Sequence, residues 1–212
     1  MPNPPWKLYA AKGGGSMIVE AALELAGAAY QIVDVAWEDV GLGSKVIGSL
    51  NPLGQVPTVL LPDGSVMTES AAIVLHLAEL APHAELAPPP GDPHRAAFLR
   101  WLVFLVAAVY PTFTYGDDPK RWLDGDEASA KVLRGSTDAH RESLLRHLDG
   151  DVVVGPWFLG ECFSALDLYV WVMSLWRPGR KWYAANAPKL HRIVEETGAL
   201  PVAREVAARN GV

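Results

Sequence analysis

A proline-rich stretch from Pro82 to Pro93 separates two parts of the chain that differ in hydrophobic pattern. A proline run of this kind cannot continue a helix or a central strand, so we expect a linker at residues 82–92. Strand and helix signals alternate before it, and helical spacing dominates after it. The sequence therefore predicts a domain at residues 1–81 and a second, all-helical domain at residues 93–212.

The first part begins with a strand, a helix and a second strand. Trp6–Ala10 and residues 30–35 are short segments typical of strands. Between them, Ser16 can cap a helix and Gly27 can end it. This order predicts a right-handed crossover with parallel pairing.

A hairpin and a helix are predicted to complete the first domain. Residues 58–61 and 65–68 flank the turn Pro62-Asp63-Gly64 and are typical of a hairpin. Residues 70–80 have an amphipathic helical pattern, and a short helix is also expected within residues 45–50. The expected order is βαβ followed by ββα.

Beyond the linker, the spacing of apolar residues predicts a bundle of helices. The fold class is thus α/β followed by all-α. The predicted helices occupy residues 93–109, 127–148, 164–176, 187–197 and 201–209.

Composition and charge exclude several classes of protein. The net charge of −6, with scattered lysines, argues against nucleic-acid binding. Cys162 is the only cysteine, which excludes an internal disulfide, and the histidines show no spacing typical of metal ligands. The N-terminus lacks a secretion signal, and the apolar run 101–110 is too short to span a bilayer. We expect a cytoplasmic protein without a metal or a membrane anchor.

The segment Gly13-Gly14-Gly15-Ser16 lies between the first predicted strand and the first predicted helix. Glycines let the backbone approach a ligand, and a helix start offers unpaired N–H groups at the positive end of its dipole. Such a site favours a thiolate or another anion, and the Ser16 hydroxyl can donate to it. A plain glycine turn with a serine cap is the alternative.

Two further segments could bind the remainder of a small peptide. In Gln55-Val56-Pro57, a cis peptide bond before Pro57 would turn the Val56 N–H and C=O toward a pocket. At Glu69-Ser70, the serine can bind a carboxylate and the acid an ammonium group, although a cap beside an exposed acid is equally compatible. Together these features could hold a small zwitterion such as glutathione.

The motif Asn51-Pro52-Leu53-Gly54-Gln55-Val56-Pro57, followed by Thr68-Glu69-Ser70, resembles the glutathione-binding half of cytosolic glutathione transferases. The segment from Gly155 to Asp167 is similar to the helical domain of the same family. The resemblance implies a thioredoxin-like domain, a cis Val56–Pro57 bond, and a structural capping box formed by Ser164 and Asp167. It further implies a homodimer whose co-substrate is glutathione.

The resemblance departs from the bacterial beta-type members at their catalytic cysteine. Gly15 falls on that cysteine and Ser16 on the residue after it. We therefore expect Ser16 to activate the thiol, with Tyr9 as the reserve candidate.

Aromatic residues of the second part are candidates for the acceptor pocket, although aromatics at helical spacing are as often core residues. Lys45 is a candidate for the glycine carboxylate of glutathione, or else a solvated loop lysine. The pocket candidates are Tyr110, Phe113, Tyr115, Trp122 and Trp176.

The expected function is that of a glutathione S-transferase, which activates the thiol of glutathione for attack on a small hydrophobic electrophile. The alternatives are a non-catalytic glutathione-binding or regulatory protein and a glutathione-dependent reductase. The reductase chemistry requires a cysteine at the position of Gly15 or Ser16, so the sequence disfavours it.

Overall fold

A computed structural model describes residues 4–124 and 126–212 of the chain. Its first part contains a four-stranded sheet with the strand order β2-β1-β3-β4. β1 pairs in parallel with β2 and antiparallel with β3, and β3 pairs antiparallel with β4. The strands are β1 (Trp6–Ala10), β2 (Tyr30–Asp34), β3 (Thr58–Leu60) and β4 (Val66–Met67). This thioredoxin-like arrangement confirms the predicted βαβ-ββα order.

Helices α1 (Ser16–Leu25) and α2 (Ser70–Leu80) belong to the same sheet domain. Gly27 has a φ of +62° just beyond α1, which confirms that it ends the helix. The predicted serine caps are wrong. The capping positions are Gly15 and Glu69, neither of which makes a side-chain cap hydrogen bond, and each serine is already the first helical residue.

The connection from β2 to β3 also differs from the prediction. Residues 45–50 form successive turns, and the helical segment of this connection is a short 3₁₀ helix at Trp37–Asp39. The Asp39 carboxylate accepts hydrogen bonds from Lys45 N, Val46 N and the Ser44 hydroxyl. These bonds satisfy the backbone locally, so the segment needs no regular helix.

The second part is helical from α3 to α9. Two of its helices, α4 and α7, were not predicted as separate elements, and Gly and Pro residues at their ends obscure the periodicity. The helices are α3 (Arg95–Phe104), α4 (Tyr110–Asp117), α5 (Glu127–Asp151), α6 (Ala165–Ser174), α7 (Arg180–Asn186), α8 (Pro188–Ala199) and α9 (Pro201–Asn210).

A π-helical turn at Leu105–Val109 joins α3 to α4, so one helical stretch runs from Arg95 to Asp117. By length and composition alone, this stretch of 23 residues could cross a membrane. The apolar run at residues 101–110 is therefore the middle of a longer helical stretch. Phe98, Trp101 and Leu105 on this stretch are nevertheless at most 4% exposed and belong to the hydrophobic core.

The start of α6 is fixed by the capping box that the sequence predicts. The Ser164 hydroxyl accepts a hydrogen bond from Leu166 N, and the Asp167 carboxylate accepts one from Ser164 N at 2.8 Å. Asp167 also accepts from Phe158 N at 2.7 Å, which ties the preceding loop to the helix. Since α6 packs against α1, this cap supports the junction between the two domains.

Candidate functional site

A cleft of about 700 Å³ lies between the sheet domain and the helical stretch that runs from α3 to α4. One wall carries backbone-rich loops of the sheet domain, and the opposite wall is mainly aromatic. The sequence-predicted site residues that line it are Gly15, Gln55, Val56, Pro57, Glu69, Ser70, Tyr110, Phe113, Tyr115, Trp122 and Trp176.

The glycine turn leads into α1 at the floor of the cleft. Within the described part of the chain, the N–H groups of Gly15 and Ser16 donate to no backbone or side-chain acceptor. They lie at the positive end of the α1 dipole. Gly15, which lines the cleft, therefore offers a free donor to an anionic atom, and the Ser16 N–H is the next donor along the chain.

The Ser16 hydroxyl does not face the cleft. It donates to the Ala11 carbonyl oxygen at 3.1 Å, and the residue is 1% exposed. Because Ser16 lies inside the first turn of α1 rather than at its cap, its side chain points back toward the strand that precedes the helix. Neither Ser16 nor the reserve candidate Tyr9 lines the cleft.

The Val56–Pro57 peptide bond is cis. Among the described residues, neither the Val56 N–H nor its C=O takes part in a hydrogen bond, so both are free for an extended ligand. The neighbouring Gln55 carbonyl accepts from the Thr58 hydroxyl at 2.8 Å and from Asn51 Nδ2 at 3.2 Å. These bonds, made by two buried side chains, hold the loop against the sheet.

Glu69 adopts a left-handed backbone conformation at the entrance to α2, with a φ of +63°. This conformation costs about 1–3 kcal/mol in a residue other than glycine, and such strain is concentrated at functional sites. The exposed Glu69 side chain makes no hydrogen bond or ion pair with another described residue. The Ser70 hydroxyl lies 2.6 Å from the Tyr169 hydroxyl, so a residue of α6 orients it from the other domain.

The aromatic wall is a set of edge-to-face contacts. The ring of Tyr110 meets those of Trp176 and Phe113 at centroid distances of 5.6 and 6.3 Å, and Tyr115 meets Trp122 at 4.8 Å. Burial raises the pKa of the Tyr110 phenol, and the Asp117 carboxylate raises it further. Tyr110 is therefore a neutral hydrogen-bond donor over the whole physiological range.

Sequence reasoning missed several cleft residues, among them Trp37 and Arg121, and it included Lys45, which lies elsewhere, as do Ser16 and Tyr9. Trp37 covers Gly14 from the β2–β3 connection, and Arg121 reaches in from the loop after α4. Lys45 is exposed and does not line the cleft. No local pattern marks Arg121, although its neighbour Trp122 was a candidate.

The fold and the cleft together define a class of protein. Proteins of this class have a thioredoxin-like domain in which the cis-proline loop and the start of the first helix face a helical domain. A model of the glutathione S-transferase N-terminal domain matches residues 16–80. The chain is 39% identical over 207 residues to the uncharacterized GST-like protein YncG of Escherichia coli strain K12. The aligned region covers 97% of this chain and 98% of that protein. It is 29% identical over 128 residues, about 60% of each chain, to glutathione S-transferase GstA of Escherichia coli O157:H7.

Solved structures agree with these similarities. A glutathione transferase homolog from Sulfitobacter with bound glutathione superposes with a TM-score of 0.83 at 25% identity, over 98% of this chain and 99% of that one. A sphingomonad glutathione S-transferase complexed with glutathione gives 0.80 at 25% identity, over 97% and 99%. The chain belongs to the cytosolic glutathione transferase family.

Proposed function

We propose that this chain binds reduced glutathione in the cleft and transfers it to a small hydrophobic electrophile, as a glutathione S-transferase. The observation that carries the proposal is the meeting of three groups in one cleft: the N–H groups at the start of α1, the free backbone of Val56, and the Glu69-Ser70 pair. Similar solved structures contain glutathione, among them those from Sulfitobacter and from a sphingomonad.

Each part of glutathione has a matching group. Glu69 accepts from the γ-glutamyl ammonium, and Ser70 donates to the neighbouring carboxylate. The backbone of Val56 forms hydrogen bonds with the cysteinyl part of glutathione, in the way that a sheet edge pairs with an added strand. For the glycine carboxylate we assign Arg121 in place of Lys45, because Arg121 is the only Lys or Arg among the described residues that line the cleft.

The chemical task is to ionise the thiol. A free thiol has a pKa of about 8.5, so little thiolate exists at neutral pH. Lowering that pKa by roughly two units requires about 2.7 kcal/mol, which a charge-assisted hydrogen bond and a helix terminus together supply. Ser16 contributes its backbone N–H to this task.

The aromatic wall then provides the acceptor pocket. Tyr110, Phe113, Tyr115, Trp122 and Trp176 offer apolar and polarizable surface beside the glycine turn. This surface suits a flat or hydrophobic electrophile. Such chemistry would serve detoxification in the cytoplasm.

The family pattern also leads us to propose a homodimer. Leu99 and Val103 lie four residues apart on α3, so they share one helix face, and they are 37% and 59% exposed. Burial of these side chains against a second copy would remove apolar surface from water. Size-exclusion chromatography with light scattering tests this assembly.

Isothermal titration with reduced glutathione, together with a conjugation assay on chlorodinitrobenzene, tests the proposed function. We expect saturable binding and turnover. Folded protein that shows no saturable binding would contradict the proposal, and binding without turnover of any electrophile in a panel would favour a non-catalytic protein.

A further inference from the structure

Among the described residues of the sheet domain, no free side-chain donor lies at the glycine turn, because the Trp37 indole N–H already donates to the Lys12 carbonyl oxygen. Gly13, Gly14 and Gly15 carry none, and the Ser16 hydroxyl is already bonded to the Ala11 carbonyl oxygen. If glutathione binds as proposed above, its sulfur reaches this turn with only backbone N–H groups supplied by the sheet domain. A side-chain donor for the sulfur is available at this turn from the helical domain.

The Tyr110 hydroxyl occupies the space that a side chain at position 15 would need. A Cβ atom built on Gly15 would lie 1.8 Å from the Tyr110 hydroxyl oxygen and 3.0 Å from its Cζ atom. The first distance is closer than non-bonded atoms approach, so a side chain at position 15 would require the Tyr110 side chain to move. The hydroxyl therefore lies directly against the turn where α1 begins.

The surroundings hold Tyr110 in this position. Its ring packs edge-to-face on Trp176, whose indole Nε1 donates to the Gly13 carbonyl oxygen at 2.8 Å. Tyr110 also directly follows the π-helical turn at Leu105–Val109. In the described part of the chain, its hydroxyl makes no hydrogen bond, so its proton is available to a ligand.

We propose that the Tyr110 hydroxyl is the catalytic donor that stabilises the glutathione thiolate, in the place where related transferases use a residue of the sheet domain. The inference rests on the proposed glutathione transferase function and names the residue that performs its central step. It also explains why position 15 is glycine: the tyrosine hydroxyl fills the volume of the missing side chain.

The proton balance is simple. The thiol loses its proton to solvent, and the thiolate accepts a hydrogen bond from Tyr110, which keeps its own proton throughout because burial raises the pKa of its phenol. The sulfur then forms a bond to the ring carbon of chlorodinitrobenzene, and the carbon–chlorine bond breaks to release chloride. Tyr110 acts as a hydrogen-bond donor and not as a general base.

The test is Tyr110→Phe, which keeps the ring and its contacts and removes only the hydroxyl. Loss of one charge-assisted hydrogen bond should raise the apparent pKa of the bound thiol by about one to two units and lower kcat/KM about ten- to a hundredfold below that pKa. The thiol pKa is read from the ultraviolet absorbance of the thiolate in the enzyme–glutathione complex, which requires no electrophile. The Kd for glutathione, measured by calorimetry at low pH, should change less than threefold. A change of this size corresponds to the loss of one weak contact.

Tyr183→Phe is the matched control. Tyr183 is fully buried outside the cleft, and its hydroxyl has no hydrogen-bond partner among the described residues. This variant should leave the thiol pKa and kcat/KM unchanged. If Tyr110→Phe likewise leaves both unchanged while the wild type binds glutathione and lowers its thiol pKa, the inference fails and the proposed function stands. If the wild type does not bind glutathione, the proposed function itself fails.

Gly15→Ala is a second variant that tests the same geometry without touching the tyrosine. Its Cβ would displace the Tyr110 hydroxyl, so we expect a rise in the thiol pKa of similar size. In the Tyr110→Phe background the same change should have little further effect on that pKa. Additive effects of the two substitutions would contradict the proposal.

Discussion

The indole Nε1 of Trp176 donates a hydrogen bond of 2.8 Å to the carbonyl oxygen of Gly13, 163 positions away in the chain. This bond joins the aromatic wall of the helical domain to the turn that precedes α1. A second contact, from Gly13 N to Asn210 Oδ1 at 3.0 Å, holds the same turn from the end of α9. The floor of the cleft is therefore positioned by both domains and not by the sheet alone.

Trp176→Phe should loosen this turn, because the Gly13 carbonyl loses its donor. We expect the free energy of unfolding to fall by about 1–2 kcal/mol, and the KM for glutathione to rise severalfold. Urea unfolding and steady-state kinetics measure the two effects. Trp182→Phe, a tryptophan change outside the cleft, is the control, and equal effects of both substitutions on KM would contradict this role.

Ser16→Ala should act mainly on stability. Its hydroxyl donates to the Ala11 carbonyl in a buried position, so its loss should lower the free energy of unfolding by about 1 kcal/mol. The thiol pKa of bound glutathione should shift far less than in Tyr110→Phe. Abolished conjugation with unchanged stability would return the catalytic assignment to the Ser16 hydroxyl.

Arg121→Gln should weaken the binding of glutathione. Removal of the proposed partner of the glycine carboxylate should raise the Kd by up to about fivefold, the range typical of an ion pair at an exposed site. Lys120→Gln, which makes the same change of charge on the adjacent residue outside the cleft, should have little effect. Calorimetry compares the two variants, and an equal loss in both would indicate general electrostatics instead of a specific contact.

Asp167→Asn should change how stability depends on pH. Burial raises the pKa of the Asp167 carboxyl to about 7, although the N–H groups of Phe158 and Ser164 oppose the shift. Because the folded-state pKa lies above the unfolded one, the stability that this group contributes is present at low pH. That contribution is lost as pH rises from about 4 to about 7, by up to about 4 kcal/mol.

Urea unfolding at several pH values tests the effect of Asp167. The wild type should lose stability across this interval relative to Asp167→Asn, and the two curves should run parallel above it. If the wild type instead gains stability over the same interval relative to Asp167→Asn, the hydrogen bonds outweigh burial in setting the pKa of Asp167.

Local patterns predicted the framework of the fold well. The short strand segment before the glycine turn predicted β1, the amphipathic pattern predicted α2, and the Ser-x-x-Asp spacing predicted the cap of α6. Each of these depends on neighbours within a few positions, where periodicity and capping chemistry determine the structure.

The details of the cleft could not be predicted in the same way. The direction of the Ser16 hydroxyl depends on whether the serine lies at the cap of α1 or inside its first turn. The contact between Tyr110 and Gly15 and the approach of Arg121 depend on how two domains pack, and no local spacing records that packing. The sequence made Tyr110 one of five pocket candidates, but only the structure places its hydroxyl against the glycine turn.

The central claim is that the cleft binds glutathione and ionises its thiol. A pH titration of thiolate absorbance in the complex of the wild-type protein with reduced glutathione measures this directly. We predict an apparent thiol pKa near 6.5, about two units below the free value of about 8.5. A bound thiol that titrates at its free value, or absorbance that does not saturate with glutathione, would contradict the account.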